Sequence, residues 1–91
     1  MVDVGNRNWA DVVVYAVRAG TRWRLGTVNS MSERSFRVPE GAGVATGTIQ
    51  FLVDPIGSGR GFQTDPVSVF PGQRLRFSVE PRLPLSYVVV R

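Results

Sequence analysis

Apolar and polar residues alternate along much of this chain, and glycine or proline interrupts the alternation every few residues. The clearest case is RLRFSVE at positions 74–80, where Leu75, Phe77 and Val79 occupy every second position. Because successive side chains of a β-strand point to opposite faces, a period of two predicts a strand with one buried face. The pattern predicts essentially no helix.

A β-hairpin is expected near the amino terminus. DVVVYAV (11–17) leads through RAGT into RWRLGTV (22–28), with Gly20 as the positive-φ turn residue. Trp23 and Leu25 should share one face of the second strand, with Arg22 and Arg24 on the other.

The remaining strands predict an all-β fold. In TIQFLVD, Ile49, Phe51 and Val53 should face inward and Leu52 outward; in RSFRV, Phe36 and Val38 should be buried, and Pro39 should end the strand. Seven or eight strands, each with one polar face, predict a single domain over residues 1–91, an antiparallel β-sandwich of immunoglobulin-like type, with a closed barrel as the alternative. Strands are expected at VDV (2–4), 11–17, 22–28, 34–38, 48–54, 66–70, 74–80 and 86–91.

Two segments, Val12 to Tyr15 and Tyr87 to Val90, are apolar at every position. A strand with one solvated face does not need this pattern. Either both faces are covered inside the molecule, by loops and by the side chain of Trp9, or one face contacts another molecule.

The succession WADVVVYAVRAGTRWRLGTV, SFRVP, LVDPIGSG and VFPGQRLRFSVEPRLPLSYVVVR resembles short immunoglobulin-like or transthyretin-like β-sandwich domains of bacterial envelope proteins and lipoproteins. The resemblance covers most of the chain and rests on strand rhythm and turn residues such as PGQ. It implies an extracytoplasmic, non-enzymatic module. Such proteins often carry a lipidated cysteine and an export signal; this sequence shows neither, so a cytoplasmic location stays open.

The amino-acid composition excludes several kinds of structural and functional site. The 91 residues include no cysteine and no histidine, which excludes disulfides, thiolate metal sites, Ser-His-Asp triads and histidine pH switches. No stretch approaches the roughly 18 apolar residues of a transmembrane helix. We therefore expect no enzymatic activity, no cofactor and no membrane span.

The segment DPIGSGRGFQTDP, residues 54–66, shows no clear strand pattern. Its glycines and Arg60 could approach an anion, and Asp54 and Asp65 could hold a cation, but turns at strand ends explain the same residues. Phe62 should either anchor this loop to the core or be displayed to a partner. Arg60 and Phe62 are the candidate contact residues of the loop.

All eleven basic residues are arginine, and the net charge is +4. If their strands are neighbours, five outward arginines form a face for acidic polysaccharide or nucleic acid. Nucleic acid is the less favoured partner, because the aromatic residues of these strands point inward. The candidate polyanion face comprises Arg22, Arg24, Arg37, Arg74 and Arg76.

The favoured function is a structural or interaction module of a bacterial envelope or extracellular assembly. Its expected partner is another protein or a second copy of this chain, and contact is through strand edges and apolar strand faces. The segment SYVVVR should pair with a sheet edge of the same molecule or be donated to a neighbour. The candidate self-association strand comprises Ser86, Tyr87, Val88, Val89, Val90 and Arg91.

Overall fold

A computed structural model describes residues 1–38, 47–57, 60–70 and 72–90. The described residues are all-β, apart from a single 3-10 turn at Leu83–Leu85. None of them forms a helix long and apolar enough to cross a membrane. The strands are β1 (Val2–Asn6), β2 (Val12–Arg18), β3 (Thr21–Val28), β4 (Glu33–Phe36), β5 (Gly47–Pro55), β6 (Phe62–Gln63), β7 (Val67–Val69), β8 (Leu75–Val79) and β9 (Tyr87–Val90).

The strands form two sheets. Sheet I has the order β4-β1-β8-β9, and sheet II the order β3-β2-β5-β6, with β7 pairing with the first part of β5. The inner faces pack together, and the rings of Phe51 in sheet II and Phe77 in sheet I stack at a centroid distance of 5.6 Å. Both rings are fully buried, and each contributes about 2–3 kcal/mol of apolar burial.

Sheet I is mixed, so the expectation of a wholly antiparallel sandwich was wrong. β1 runs parallel to β8, with Val2 opposite Leu75 and Val4 opposite Phe77. Strand direction depends on contacts between distant parts of the chain, which side-chain alternation does not report. Alternation shows only which residues face the core.

The inward faces agree with the sequence pattern. In β5, Ile49, Phe51 and Val53 are buried while Leu52 is only partly so. In β8, Leu75, Phe77 and Val79 are all buried. These predictions are confirmed. In β4, Phe36 is buried and Val38 packs against the core from beyond the strand end; Pro39 lies outside the described residues.

The β2–β3 hairpin also forms as expected, with positive φ at Gly20 and at Ala19 before it. Positive φ at both central residues is the signature of a type I′ turn. Further along, the register shifts so that Val14 faces Gly26 while Tyr15 faces Arg24. Leu25 is therefore the extra residue of a β-bulge in β3.

The segment 54–66 is more ordered than its sequence predicted. β5 continues to Pro55, and the short strand β6 pairs with it, placing Phe62 opposite Val53 and against the core. The buried Thr64 extends this pairing: its N–H donates to the Phe51 carbonyl, and its Oγ1 accepts from the Phe51 N–H at 3.0 Å. Two-residue strands carry too little alternation to be recognised.

Candidate functional site

The predicted self-association strand forms β9, the last strand of sheet I, and pairs antiparallel with β8. Tyr87 lies opposite Ser78, and Val90 opposite Leu75. Ser86 is buried just before the strand, and its Oγ accepts from the Glu80 N–H. Arg91 lies outside the described residues. No described strand covers the other side of β9, so we call that side the β9 edge.

The backbone of β8 determines which groups of β9 reach this edge. The Leu75 N–H donates to the Met1 carbonyl, and the Val79 carbonyl accepts from the Arg7 N–H, so these positions of β8 point towards β1. Arg76 and Ser78, at the alternate positions, point towards β9, where they face Val89 and Tyr87. The N–H and C=O groups of Val88 and Val90 consequently point outward, to the β9 edge.

The side chains along β9 are apolar and solvent-accessible. Tyr87 is 49% exposed, Val89 46% and Val90 45%. Among the described edge strands of four or more residues, β9 is the only one without a charged residue, since β3 carries Arg22 and Arg24 and β4 carries Glu33 and Arg34. An uncharged apolar edge is a template for pairing with another strand.

The candidate polyanion residues are divided between the two sheets. Arg22 and Arg24 lie on β3 of sheet II, opposite Val17 and Tyr15 on its outer face. Arg76 lies on the outer face of sheet I, opposite Asp3 and Val89. Because the two outer faces point in opposite directions, the five arginines do not form one continuous face. Arg74 directly precedes β8, and the exposed Arg37 directly follows β4.

The sheet I arginines are also paired with carboxylates. Arg74 donates from Nε and from Nη2 to the two oxygens of the buried Asp3, at 2.7 and 2.8 Å. Hydrogen bonding to Asp3, and then its charge, raises the pKa of Arg74 above its usual value. Arg76 pairs with Glu33. These charges are locally neutralised, which weakens a polyanion site.

The segment between β1 and β2 presents Trp9 to solvent, 79% exposed. Trp9 therefore does not cover the apolar run of β2, and that expectation was wrong. Val13 and Tyr15 are half-buried within the outer face of sheet II, and the Arg22 guanidinium lies over the Tyr15 ring at 5.8 Å. The long side chain of Arg22, from the neighbouring strand β3, thus covers part of this face.

Hydrogen bonds hold the backbone on both sides of Trp9. The buried Asn6 donates from Nδ2 to the carbonyls of Ala10 and Val28, at 2.9 and 3.1 Å, and its Oδ1 accepts from the Asn8 N–H. Asn8 accepts from the Ala10 N–H at 2.9 Å through its own Oδ1. The ring of Trp9 thus projects from a fixed support.

The same segment is joined to three others at one end of the sandwich. Asn8 Nδ2 donates to the carbonyls of Glu80 and Pro81. Ser30 Oγ donates to the Asn8 carbonyl, and the Ile56 N–H donates to the Asp11 carbonyl. We call this the loop end; it comprises the described residues of 7–11, 29–32, 56–61 and 80–86.

A pocket of about 410 Å³ opens at the loop end, and Arg60 and Phe62 both line it. The side chain of Asn8 lies beside them. Arg60 is exposed, whereas Phe62 is partly buried against the core, as one of the two sequence expectations had it. Rings and aliphatic chains complete the wall, from Pro55, Pro81, Leu83 and Pro84.

A second, more open cavity of about 660 Å³ lies on the outer face of sheet I, beside Tyr87. Gly5 leaves its floor without a side chain, and the Arg76 guanidinium crosses that floor: a Cβ on Gly5 would lie 2.6 Å from Nη2. Glu33 and Glu80 balance Arg7 and Arg76 along the walls. The cavity therefore has no dominant charge.

The acidic residues of the 54–66 segment are Asp54 and Asp65. Asp54 is exposed on β5, opposite Val13, and Asp65 is exposed beyond β6. Among the described residues, no three acidic, histidine or cysteine side chains come together as metal ligands would.

Trp9 and the pocket were not identified from the sequence as binding features. The available signal was the spacing of Asn6 and Asn8 around a large aromatic residue, because asparagine side chains commonly bind nearby backbone. Comparison of the chain with protein-family models, curated proteins and solved structures finds no match.

Proposed function

We propose that this protein is a non-enzymatic interaction module whose β9 edge pairs with the β9 edge of a second copy. The observation that carries the proposal is the β9 edge itself. It presents the backbone groups of Val88 and Val90 outward and flanks them with exposed apolar side chains. Adding a strand to such an edge forms main-chain hydrogen bonds and covers apolar surface at once.

An antiparallel pairing of two β9 strands is self-complementary. In a two-fold arrangement the same patch serves both copies, so one short strand supplies both halves of the contact. The two copies of sheet I would become one continuous sheet. Tyr87 and Val89 of each copy would line its outer face, next to Ser78 and Arg76 of β8.

Donation of the strand SYVVVR to a neighbour is the other form of this assembly. It requires β9 to leave β8, which exposes the partly buried Val88 and the fully buried Phe77 opposite it. Edge pairing leaves the β8–β9 ladder intact. We therefore favour edge pairing over donation.

Proline at position 88 separates the two forms. The Val88 N–H points to the β9 edge, so Val88→Pro removes an intermolecular donor while leaving the ladder with β8 in place. Val88→Ala is the matched control, because it loses similar packing against the core but keeps the N–H. Sedimentation velocity over a range of concentrations measures the dimer in each chain.

Edge pairing predicts that Val88→Ala associates nearly as well as the original chain, while Val88→Pro associates at least about tenfold more weakly. Strand donation does not use this N–H and predicts equal association for the two variants. A chain that stays monomeric at all concentrations would contradict both forms. Circular dichroism confirms that each variant is folded.

We extend the proposal to the fold family and to the location of the protein. We place the chain with the short immunoglobulin-like or transthyretin-like sandwich domains that its turn and strand pattern resembles, and in a bacterial envelope or extracellular assembly. Two packed sheets of short strands support this placement. A strand exposed for pairing is a common device of such assemblies.

A further inference from the structure

The loop end concentrates exposed apolar side chains on fixed backbone. Trp9, Met31, Ile56 and Leu85 are all exposed there. Large apolar groups displayed together mark interaction surfaces more often than isolated ones do. Fixing the backbone on both sides of Trp9 lowers the entropy lost when this segment enters a contact.

The pocket at the loop end has the chemistry to accept an aromatic ring. The rings of Pro55, Pro81 and Pro84, with Leu83 and Phe62, provide apolar walls. Arg60 adds a guanidinium, which stacks favourably on aromatic faces and best on tryptophan. A volume of about 410 Å³ falls within the range of ligand pockets and accommodates one large side chain.

The exposed Trp9 and the pocket belong to neighbouring parts of the loop end. Asn8, which lines the pocket, directly precedes Trp9, and its side chain is tied to the backbone of Glu80 and Pro81. A two-fold axis between ring and pocket would bring each ring to the pocket of the other copy. This is the reciprocal contact that a two-fold interface requires.

We propose that the loop end is a second self-association surface, in which the indole ring of Trp9 enters the proline-lined pocket of another copy. Ile56 and Leu85, exposed on the flanking loops, add apolar rim to the contact. Trp9 is the anchor, because buried tryptophans with an apolar rim dominate interface energies. The contact uses no part of β9, so it can be tested independently of edge pairing.

Fluorescence of Trp9 provides a local measurement. The chain has two tryptophans, and replacing the partly buried one by Trp23→Phe leaves Trp9 as the only indole. The emission of this variant should move to shorter wavelength as protein concentration rises through the dimer range. Pairing through β9 alone would leave Trp9 in water and its emission constant. The same titration with Val88→Pro added measures the loop-end contact in isolation.

Two alanine variants test the anchor. Trp9→Ala should weaken the association of the Val88→Pro chain about tenfold or more, as loss of an interface anchor does. Phe70→Ala is the matched control, since Phe70 is an aromatic residue 58% exposed beyond β7, at the opposite end of the sandwich. It should change the association by less than about twofold.

A mixing experiment tests the reciprocity. Pro84→Glu, at an exposed pocket residue, should block the pocket while leaving Trp9 intact. Trp9→Ala and Pro84→Glu chains mixed together should associate more tightly than either alone, because one of the two contacts is restored. Constant Trp9 emission while the Val88→Pro chain associates would overturn the proposal. So would equal effects of Trp9→Ala and Phe70→Ala, or a Val88→Pro chain that stays monomeric up to millimolar concentration.

Discussion

The exposed edges of β3 and β9 differ in how they are protected from pairing with another strand. Both strands end a sheet, and both present backbone groups that another strand could pair with. β3 carries Arg22 and Arg24 and is distorted by the bulge at Leu25. β9 is regular along its pairing with β8 and carries only tyrosine and valine.

The difference indicates which edge is available for assembly. Bulges and charges are the usual means by which proteins prevent pairing at an exposed strand, and β3 has both. Gly26, which follows the bulge, packs closely against Phe36, because a Cβ at this position would lie 2.8 Å from Cε1 of that ring. β9 has neither protection, which is the basis for assigning self-association to it.

The largest effect is expected from damaging the protected edge. Gly26 has φ of +156° and sits against Phe36, so Gly26→Ala should lower the free energy of unfolding by about 3 kcal/mol. Gly20→Ala is the control: φ is +79° there, but among the described residues other than its chain neighbours no atom lies within 4 Å of an added Cβ, and about 1–2 kcal/mol is expected. Urea denaturation measures both. Equal losses would show that the Phe36 contact adds nothing to the cost of a side chain at position 26.

The sequence predicted those features of the hairpin and of the core that depend on local chemistry. Gly20 marked the hairpin turn, and alternation placed Phe51 and Phe77 in the core. It did not predict the bulge at Leu25, because RWRLGTV alternates as a regular strand would. The glycine that follows the bulge packs against Phe36, which comes from a different sheet.

Among the candidate sites, too, only those that depend on local sequence could be predicted. SYVVVR was recognisable because four consecutive apolar residues exceed the needs of a half-solvated strand. The separation of Arg22 from Arg76 was not predictable, since it depends on which strands become neighbours. The backbone around Trp9 is held by Asn6 and Asn8, which bind backbone from β3 and from the segment after β8, contacts between distant positions.

Placing a charge on β9 should make it resemble β3. Val89→Lys puts an ammonium group on an exposed position, and pairing two β9 strands would bring two such groups together. Association should weaken about tenfold, with stability changed by less than about 0.5 kcal/mol. Thr48→Lys adds the same charge at an exposed position of β5 in sheet II and should leave association unchanged. If both lysines weaken association equally, net charge is the cause and β9 is not the contact.

Removing charge from β3 tests the opposite change. Arg22→Val with Arg24→Val leaves the bulge in place, so only weak new association, about twofold to threefold over the original chain, is expected. Light scattering at matched concentrations measures it. Strong new association would mean that charge alone protects β3 and that the bulge contributes little.

A change in salt concentration should have the smallest effect on association of the chain. Pairing through apolar side chains and backbone should change less than about threefold between about 50 and 500 mM salt, since few charges take part. Binding of a polyanion to the arginines would weaken by orders of magnitude over the same range. Titration of the chain with heparin at both salt concentrations, beside sedimentation of the chain alone, separates the two behaviours.

Hydrogen exchange at the amides of β9 tests the central claim most directly. The Tyr87 and Val89 amides face β8, and the Val88 and Val90 amides face the β9 edge. Edge pairing predicts that Tyr87 and Val89 are protected at every concentration, while Val88 and Val90 become protected only as the chain associates. If Val88 and Val90 exchange equally fast in dilute and in concentrated, associated protein, the β9 edge is not the contact.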